Sequence, residues 1–205
     1  MKESPSYLTH GSGYTTVSPL TAVADVEDDP IKPLKRFEVE ANLLLAFWHE
    51  WNTYSLHDQL SLSVPEHAYN TLSYAEQLSM GCGSLRLNGR SESDRDYCHL
   101  IRGAEFLTPL FDFARSLGYT PCKPMIRYLA PKTCLPYHID DVGIRFHVVL
   151  ETDWKSFFVI QDKIYRMPTT GMLYTLKTSV FHTAVNANLN KPRIHFTFSG
   201  FKDKD

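Results

Sequence analysis

The sequence lacks several features that would assign it to a specialised class of protein. It contains no run of about 18 uncharged apolar residues, which a transmembrane helix would need. Its first residues, MKESPSYLTHGSGYTT, have no apolar core of the signal-peptide type. We therefore expect a cytoplasmic protein with no membrane partner.

Excess charge and closely spaced cysteines are missing as well. The formal net charge is -2, which gives no electrostatic reason to expect a nucleic acid partner. The four cysteines form no Cys-x-x-Cys pair and are too few for a disulfide scaffold in a chain of 205 residues. We therefore expect four reduced thiols: Cys82, Cys98, Cys122 and Cys134.

What remains is the composition of an ordinary globular protein, with 43% hydrophobic and 21% charged residues. The length favours a single domain over residues 1–205. Residues 1–35 are rich in Ser, Thr, Pro and acidic residues, and they predict an arm or a loop. Residues 36–120 predict a mainly helical part, and residues 121–205 predict a β-domain.

The first predicted helix lies in the segment RFEVEANLLLAFWHEW, from Arg36 to about Trp51. Leu43, Phe47 and Trp51 are spaced four residues apart, which predicts one apolar helix face. Leu44 and Trp48 lie beside this row. We expect this face to pack into the core rather than to bind a ligand.

Two further helices carry recognisable end signals. Ser73 and Glu76 fit a capping box, which predicts a helix that begins at Ser73. A third helix has Thr108 as its predicted N-cap, Pro109 in its first turn and Gly118 as its terminator.

The segment from Lys123 to Phe201 contains short β-rich runs separated by turns. Six or more short strands in sequence predict a small antiparallel barrel or sandwich of the Greek-key or jelly-roll type. Asn88-Gly89, upstream of this segment, predicts a further turn. The fold class is therefore mainly β with N-terminal helices. The runs are MIRYL, IRFHVVLE, SFFVI, IYRM, MLYTL and RIHFTF.

The stretch LPYHIDDVGIRFH places several polar groups within strand-like sequence. Alternate side chains of a strand share a face, so His138 and Asp140 point the same way, and so do Arg145 and His147 on the next strand. Asp141 would point to the opposite face and is the weaker candidate for a metal ligand.

Two later segments add the remaining polar groups. SVFHTAVN supplies His182, and KPRIHFTFSG supplies Arg193 on the same strand face as His195 and Thr197. Two imidazoles and one carboxylate on one side of Fe(II) leave positions open for substrate and dioxygen. His195 could serve this pocket or be structural, and Asn186 could serve it or cap a turn. Four phenylalanines are candidates for apolar walls: Phe146, Phe157, Phe181 and Phe196.

The order of these motifs resembles the aspartyl/asparaginyl β-hydroxylase family of iron(II)- and 2-oxoglutarate-dependent oxygenases. The resemblance covers residues 123–200, and it implies a double-stranded β-helix of the cupin type. It assigns three metal ligands: His138, Asp140 and His182. It assigns cosubstrate contacts to three more residues: Arg193, Arg145 and His147. The matching text is IRYLAPKTCLPYHID, GIRFHVVLETD, TGMLYTLKTSVFHTAVNAN and PRIHFTF.

The family can offer a small polar residue to the cosubstrate from the strand that reads MIRYL here. This sequence has Arg127 or Tyr128 in that neighbourhood, so it departs from the family pattern there.

The resemblance implies a dioxygenase that uses Fe(II), 2-oxoglutarate and O2 to hydroxylate an unactivated carbon, releasing succinate and CO2. The expected substrate is an amino acid such as proline, or a residue in a polypeptide such as aspartate or asparagine. Two alternatives stay open at this point. One is a non-catalytic cupin-like module that binds a metal or a carboxylate, and the other is a metal-dependent isomerase of the cupin type.

Overall fold

The computed structural model describes residues 29–52, 59–64, 66–73, 75–76, 94–140 and 143–202. The predicted turn at Asn88-Gly89 and most of the predicted arm over residues 1–35 lie outside these ranges. Among the described residues, no helix is both long and apolar enough to cross a membrane.

The described chain contains three α-helices and twelve strands, with short 3-10 turns at Asp94–Asp96 and Glu105–Leu107. The helices are α1 (Glu38–Asn52), α2 (Glu66–Thr71) and α3 (Thr108–Ser116). The first six strands are β1 (Ile31–Arg36), β2 (Gln59–Ser61), β3 (Ser63–Val64), β4 (His99–Leu100), β5 (Tyr119–Leu129) and β6 (Thr133–Cys134). The last six are β7 (Ile144–Glu151), β8 (Ser156–Ile160), β9 (Lys163–Tyr165), β10 (Met172–Lys177), β11 (His182–Asn186) and β12 (Arg193–Lys202).

Two antiparallel sheets form the centre of the fold. The larger has six strands in the order β1-β10-β7-β12-β5-β2, and the smaller has four in the order β6-β11-β8-β9. Side chains from both sheets meet in one apolar cluster, in which Leu129, Val149 and Leu176 face Phe158 and Ala184. The sheets therefore pack face to face, and the predicted mainly-β jelly-roll architecture is confirmed.

A second apolar cluster lies on the other face of the larger sheet, where α1 and α3 cover it. Trp48 of α1 stacks on Tyr128 at 5.9 Å between ring centroids, and Phe111 of α3 contacts Phe198 at 5.3 Å. The helices thus bury the outer face of this sheet, and its inner face is left to the smaller sheet. The functional groups described below lie between the sheets.

The predicted first helix is confirmed as α1, but its buried face differs from the predicted row. Ala41, Leu44 and Trp48 are buried, whereas Leu43 is 46% exposed. These three positions continue the helical spacing from buried Phe37. The small side chain of Ala41 made this row less visible in the sequence than the row through Leu43.

The end signals of the other predicted helices are only partly confirmed. The backbone N–H of Ser73 donates to the Glu76 carboxylate at 2.8 Å, and the backbone N–H of Glu76 donates to the Ser73 hydroxyl at 3.4 Å, as a capping box requires. At α3 the N-cap position is Leu107 and not Thr108, because a 3-10 turn precedes the helix. Gly118 has a φ of +80° at the other end, which confirms it as the terminator.

Strand β1 corrects the prediction that residues 1–35 form only an arm or loop. Ile31–Arg36 pairs with β10 at the edge of the larger sheet. Pro33 lies in this strand, and the register is irregular between Pro33 and Lys35. Proline is tolerated in an edge strand because its missing N–H does not remove a hydrogen bond from the interior of the sheet. The same proline hid the strand in the sequence.

The expectation of four reduced thiols is wrong for one pair. Cys98, next to β4, and Cys122 of β5 are joined in a disulfide across 24 positions of sequence. Cys134 has a free, exposed thiol, and Cys82 lies outside the described residues. The pairing depends on how the chain returns to β5, so the spacing of the cysteines did not reveal it.

Candidate metal and anion site

The smaller sheet brings two histidines together at one end of the cavity. His138 and His182 form an isolated antiparallel bridge, in which the N–H of each donates to the carbonyl of the other at 3.0 and 2.9 Å. Their rings lie side by side, with centroids 4.5 Å apart. Asp140 follows two residues after His138. One potential ligand atom from each of the three side chains lies within 4.8 Å of the other two.

The hydrogen bonds of both imidazoles determine which nitrogen is free. Nδ1 of His138 lies 2.6 Å from the Pro136 carbonyl, and Nδ1 of His182 lies 2.9 Å from the Val180 carbonyl. A carbonyl can only accept, so each Nδ1 carries a proton, and in the neutral form of each ring Nε2 keeps its lone pair. Burial lowers the pKa of His182 despite opposing effects of the Val180 hydrogen bond and Asp140. A neutral imidazole with a free Nε2 is the form that binds a metal.

Arg145 holds the third group of the cluster, the Asp140 carboxylate. Its Nε and Nη2 donate to Oδ2 of Asp140 at 3.0 and 2.8 Å, while Oδ1 lies 3.3 Å from Nε2 of His138. Burial raises the pKa of Asp140, but the charge and hydrogen bonds of Arg145 outweigh it and hold this pKa below its usual value. The carboxylate is therefore charged, with Oδ1 on the side of the histidines. Asp141 lies outside the described residues.

These donors fit a divalent metal. Two free imidazole nitrogens and one charged carboxylate oxygen form the set that non-haem Fe(II) sites use. The contact of Arg145 with a cosubstrate stays a prediction, because the described contact of this side chain is with Asp140.

We predict that Arg145→Gln weakens Fe(II) binding about 10- to 100-fold, because Asp140 loses the partner that orients its carboxylate. The control is Arg115→Gln, which removes an exposed ion pair with Asp112 of 2.8 Å and leaves metal affinity unchanged. Calorimetric titration with Fe(II) under argon measures both variants. Equal affinities in the two variants would show that Arg145 does not support the metal site.

The other end of the cavity holds a buried cation. Arg193, at the start of β12, is only 5% exposed. Its Nη2 donates to Nδ1 of His195 at 3.0 Å, and its guanidinium lies 4.5 Å from the centre of the Phe158 ring. In the described part of the chain, no carboxylate lies within ion-pairing distance of Arg193. Burial, and then the charge of Arg127, lower the pKa of Arg193 to about 9. A buried cation without a counter-ion is costly, so this position suits an anionic ligand.

Two histidines lie close to Arg193. Nδ1 of His147 is 3.4 Å from Nδ1 of His195, and both rings are buried. Burial, and then the positive charge of Arg193, hold the pKa of each histidine well below its usual value. Both rings are therefore neutral near pH 7.

A single cavity with an empty volume of about 430 Å³, counting its open mouth, joins the two ends. The structure brings all six residues predicted for the site to its wall: His138, Asp140, Arg145, His147, His182 and Arg193. Their roles stay predictions. The wall also contains Arg127 and Thr197, which are hydrogen-bonded to each other at 3.2 Å.

The aromatic wall of the cavity differs from the expectation. Phe158 lines it, although this residue was not among the four candidate phenylalanines. Phe146 and Phe196 belong to the cluster under the helices, and Phe181 is 53% exposed. Strand alternation in SFFVI, with Ser156, Phe158 and Ile160 buried, is the signal that could have identified Phe158.

Asn186 has a structural role that goes beyond capping one turn. Its side-chain amide donates to the carbonyls of Leu129, Ala130 and Lys191, at 3.0, 3.2 and 2.9 Å. Its Oδ1 accepts from the Ser156 hydroxyl at 3.2 Å. The buried side chain therefore connects β11 by hydrogen bonds to the end of β5, the start of β8 and the segment before β12.

No family model matches the sequence, and the comparison with curated proteins also finds no match. Solved structures do resemble the fold. A viral collagen prolyl hydroxylase from Paramecium bursaria Chlorella virus-1, in complex with 2-oxoglutarate, aligns with a TM-score of 0.55 and 9% identity. That alignment covers 88% of this chain and 100% of the viral protein.

Two further structures belong to the same comparison. A prolyl hydroxylase from Trichoplax adhaerens, bound to a peptide fragment of a hypoxia-inducible factor, aligns with a TM-score of 0.50 and 13% identity over 86% of each chain. An oxidoreductase of the 2-oxoglutarate–Fe(II) oxygenase family from Burkholderia pseudomallei aligns with a TM-score of 0.41 and 15% identity, covering 49% of this chain. This chain spans 57% of the Burkholderia protein. The viral and Trichoplax neighbours are prolyl hydroxylases, and at these identities the likeness establishes the fold alone.

Proposed function

We propose that this protein is an Fe(II)- and 2-oxoglutarate-dependent dioxygenase that hydroxylates an unactivated carbon of an amino acid or an amino-acid residue. One observation carries the proposal: a single cavity contains the cluster of His138, Asp140 and His182 together with buried Arg193. A metal-binding module alone has no need of a buried arginine for which the described residues provide no carboxylate partner. A cofactor with a metal-binding keto acid at one end and a second carboxylate at the other would use both features.

In this proposal, His138 and His182 bind the metal through Nε2 and Asp140 binds it through Oδ1. Both histidines are already in the required tautomer through their backbone hydrogen bonds. When bound, iron and 2-oxoglutarate together activate O2 for C–H hydroxylation and release succinate and CO2. The protein contributes three fixed ligands and leaves the rest of the metal accessible from the cavity.

Arg193 binds the distal carboxylate of 2-oxoglutarate. A guanidinium presents a planar fork that matches a carboxylate, and the interaction is strong because the residue is buried. Phe158, Leu176 and Ala184 form an apolar part of the wall, so they help to exclude water from the bound cosubstrate.

The order of motifs supports membership of the aspartyl/asparaginyl β-hydroxylase family, which is part of this proposal. The identity of the substrate is a further part. Because the viral and Trichoplax proteins described above are prolyl hydroxylases, proline is the first candidate, either free or in a peptide. Peptidyl aspartate and asparagine are the next.

The test is a succinate assay with Fe(II), 2-oxoglutarate and O2, run on a panel of free L-proline, prolyl peptides and peptides containing aspartate or asparagine. We expect one of these substrate classes to stimulate succinate formation, and its product to be heavier than the substrate by one oxygen atom. If iron binds but no panel member and no uncoupled reaction yields succinate, a non-catalytic binding module would be the better description.

The affinity for 2-oxoglutarate should depend on pH through Arg193. Its pKa of about 9 in the free protein means that the guanidinium is charged at neutral pH and loses its proton as the pH rises above that value. A bound carboxylate favours the charged form of the Arg193 guanidinium. The affinity for 2-oxoglutarate should therefore be constant near neutral pH and fall at alkaline pH, by at most about tenfold for each pH unit. Titration of the protein with 2-oxoglutarate at a series of pH values measures this. The same decline in Arg193→Met would mean that another group titrates.

A further inference from the structure

A chain of buried hydrogen bonds lies behind Arg193. Nη2 of Arg193 is 3.0 Å from Nδ1 of His195, and the same nitrogen of His195 is 3.4 Å from Nδ1 of His147. Their exposed fractions are 5%, 1% and 4%, so water does not compete for these contacts. The proposed function assigns a role to Arg193 but none to His195.

The positions of the protons in this chain follow from chemistry. A guanidinium can only donate, so Nδ1 of His195 accepts and the proton of this ring is on Nε2. Since Nδ1 of His195 carries no proton, Nδ1 of His147 is the donor in the second contact. Nδ1 of His195 is therefore an acceptor shared by two donors, and its contact with Arg193 is the shorter of the two.

The surroundings restrict Arg193 on two sides. Phe158 covers the face of the guanidinium at 4.5 Å from the ring centre, and His195 takes one of the N–H groups at its edge. The Phe158 ring meets the His147 ring edge-on, with centroids 5.5 Å apart and an interplanar angle of 85°. Arg193 and His195 are two residues apart on β12, so the inward strand face places both in the same layer.

We infer that His195 is a positioning residue, which orients the Arg193 guanidinium and so sets the preference of the cavity for a 2-oxo acid with a distal carboxylate. The inference rests on the proposed function, because it takes 2-oxoglutarate as the ligand of Arg193. An arginine side chain has many rotamers, and a fork held in one orientation loses less entropy when the carboxylate binds.

The experiment compares His195→Asn with His195→Leu, which are close to each other in size and shape. The asparagine carbonyl oxygen can occupy the place of Nδ1 and accept from Arg193, whereas leucine cannot accept. Calorimetry on the Mn(II)-loaded protein under argon measures the affinity for 2-oxoglutarate and for 2-oxopentanoate, which has the same chain length but no distal carboxylate. Thermal unfolding verifies that each variant is folded.

We expect His195→Leu to weaken 2-oxoglutarate binding about tenfold and to leave 2-oxopentanoate binding unchanged. The ratio of the two affinities should therefore fall about tenfold. His195→Asn should retain most of the preference for 2-oxoglutarate. If His195→Leu does not fold, His195→Gln replaces it. The amide of this longer side chain lies at the place of Nε2 and not of Nδ1, so we expect the same reduction in the preference for 2-oxoglutarate over 2-oxopentanoate.

Two outcomes would overturn the inference. One is an equal effect of the asparagine and leucine variants on 2-oxoglutarate binding. The other is an equal loss of both 2-oxo acids in His195→Leu, which is the result of a packing role alone. Failure of the proposed function looks different, because the wild-type protein would then not distinguish 2-oxoglutarate from 2-oxopentanoate.

Discussion

Replacing His182 by alanine is expected to abolish turnover and to reduce Fe(II) affinity by more than about 100-fold. That loss exceeds the 10- to 100-fold effect typical of removing only a hydrogen-bond partner of a ligand. The ring has a free Nε2, since its Nδ1 donates to Val180, and it is one of only three donors in the cluster. Titration with Fe(II) under argon and the succinate assay measure the two effects.

The control for this variant is His49→Ala. His49 lies on α1, its side chain is 60% exposed and it does not line the cavity, so its replacement should change neither quantity. The backbone bridge between His138 and His182 does not depend on the side chain, so the alanine variant should remain folded. Near-normal turnover in His182→Ala would contradict the assignment of the ligands.

Replacing Arg193 by methionine should weaken 2-oxoglutarate binding by at least about 100-fold. A carboxylate loses two charge-assisted hydrogen bonds of about 1.5–3 kcal/mol each. The same change should raise the free energy of unfolding of the ligand-free protein, on the order of 1 kcal/mol. It replaces a buried cation, for which the described residues provide no carboxylate partner, by an apolar side chain. Function and stability are therefore expected to move in opposite directions.

Arg166→Met is a matched control for this prediction. Arg166 also lies over a phenylalanine, with its guanidinium 5.6 Å from the centre of the Phe157 ring, but it is exposed. The change should leave both 2-oxoglutarate affinity and stability nearly constant. Calorimetry and urea unfolding measure the two variants. A loss of stability in Arg193→Met would show that the guanidinium already has a counter-ion in the folded protein.

The strands of the β-domain could be predicted because their residues alternate between buried and exposed positions or form short apolar runs. IRFHVVLE and SFFVI coincide with β7 and β8. Strand β11 was less visible in the sequence, since HTAVN has only five residues and a polar residue at each end. Strand β1 was missed because Pro33 argues against a strand unless the edge position is known.

The candidate site was predictable as a set of residues but not as a set of contacts. Strand alternation paired His138 with Asp140 and Arg193 with His195, although only the second pair lies on a strand. It could not show that Arg145 binds Asp140, because the sequence does not show how Asp140 lies relative to β7. The link from His195 to His147 joins two strands distant in sequence, and only the sheet order brings them together. The disulfide between Cys98 and Cys122 was hidden for the same reason.

The most direct test of the central claim is an anaerobic titration of the metal-free protein with Fe(II) and 2-oxoglutarate, followed by the admission of air. We expect a weak visible charge-transfer band that requires both additions and bleaches in air as succinate forms. We also expect no band in His182→Ala. Iron that binds without such a band at saturating 2-oxoglutarate would contradict the account, and the ligand of Arg193 would then be a different anion.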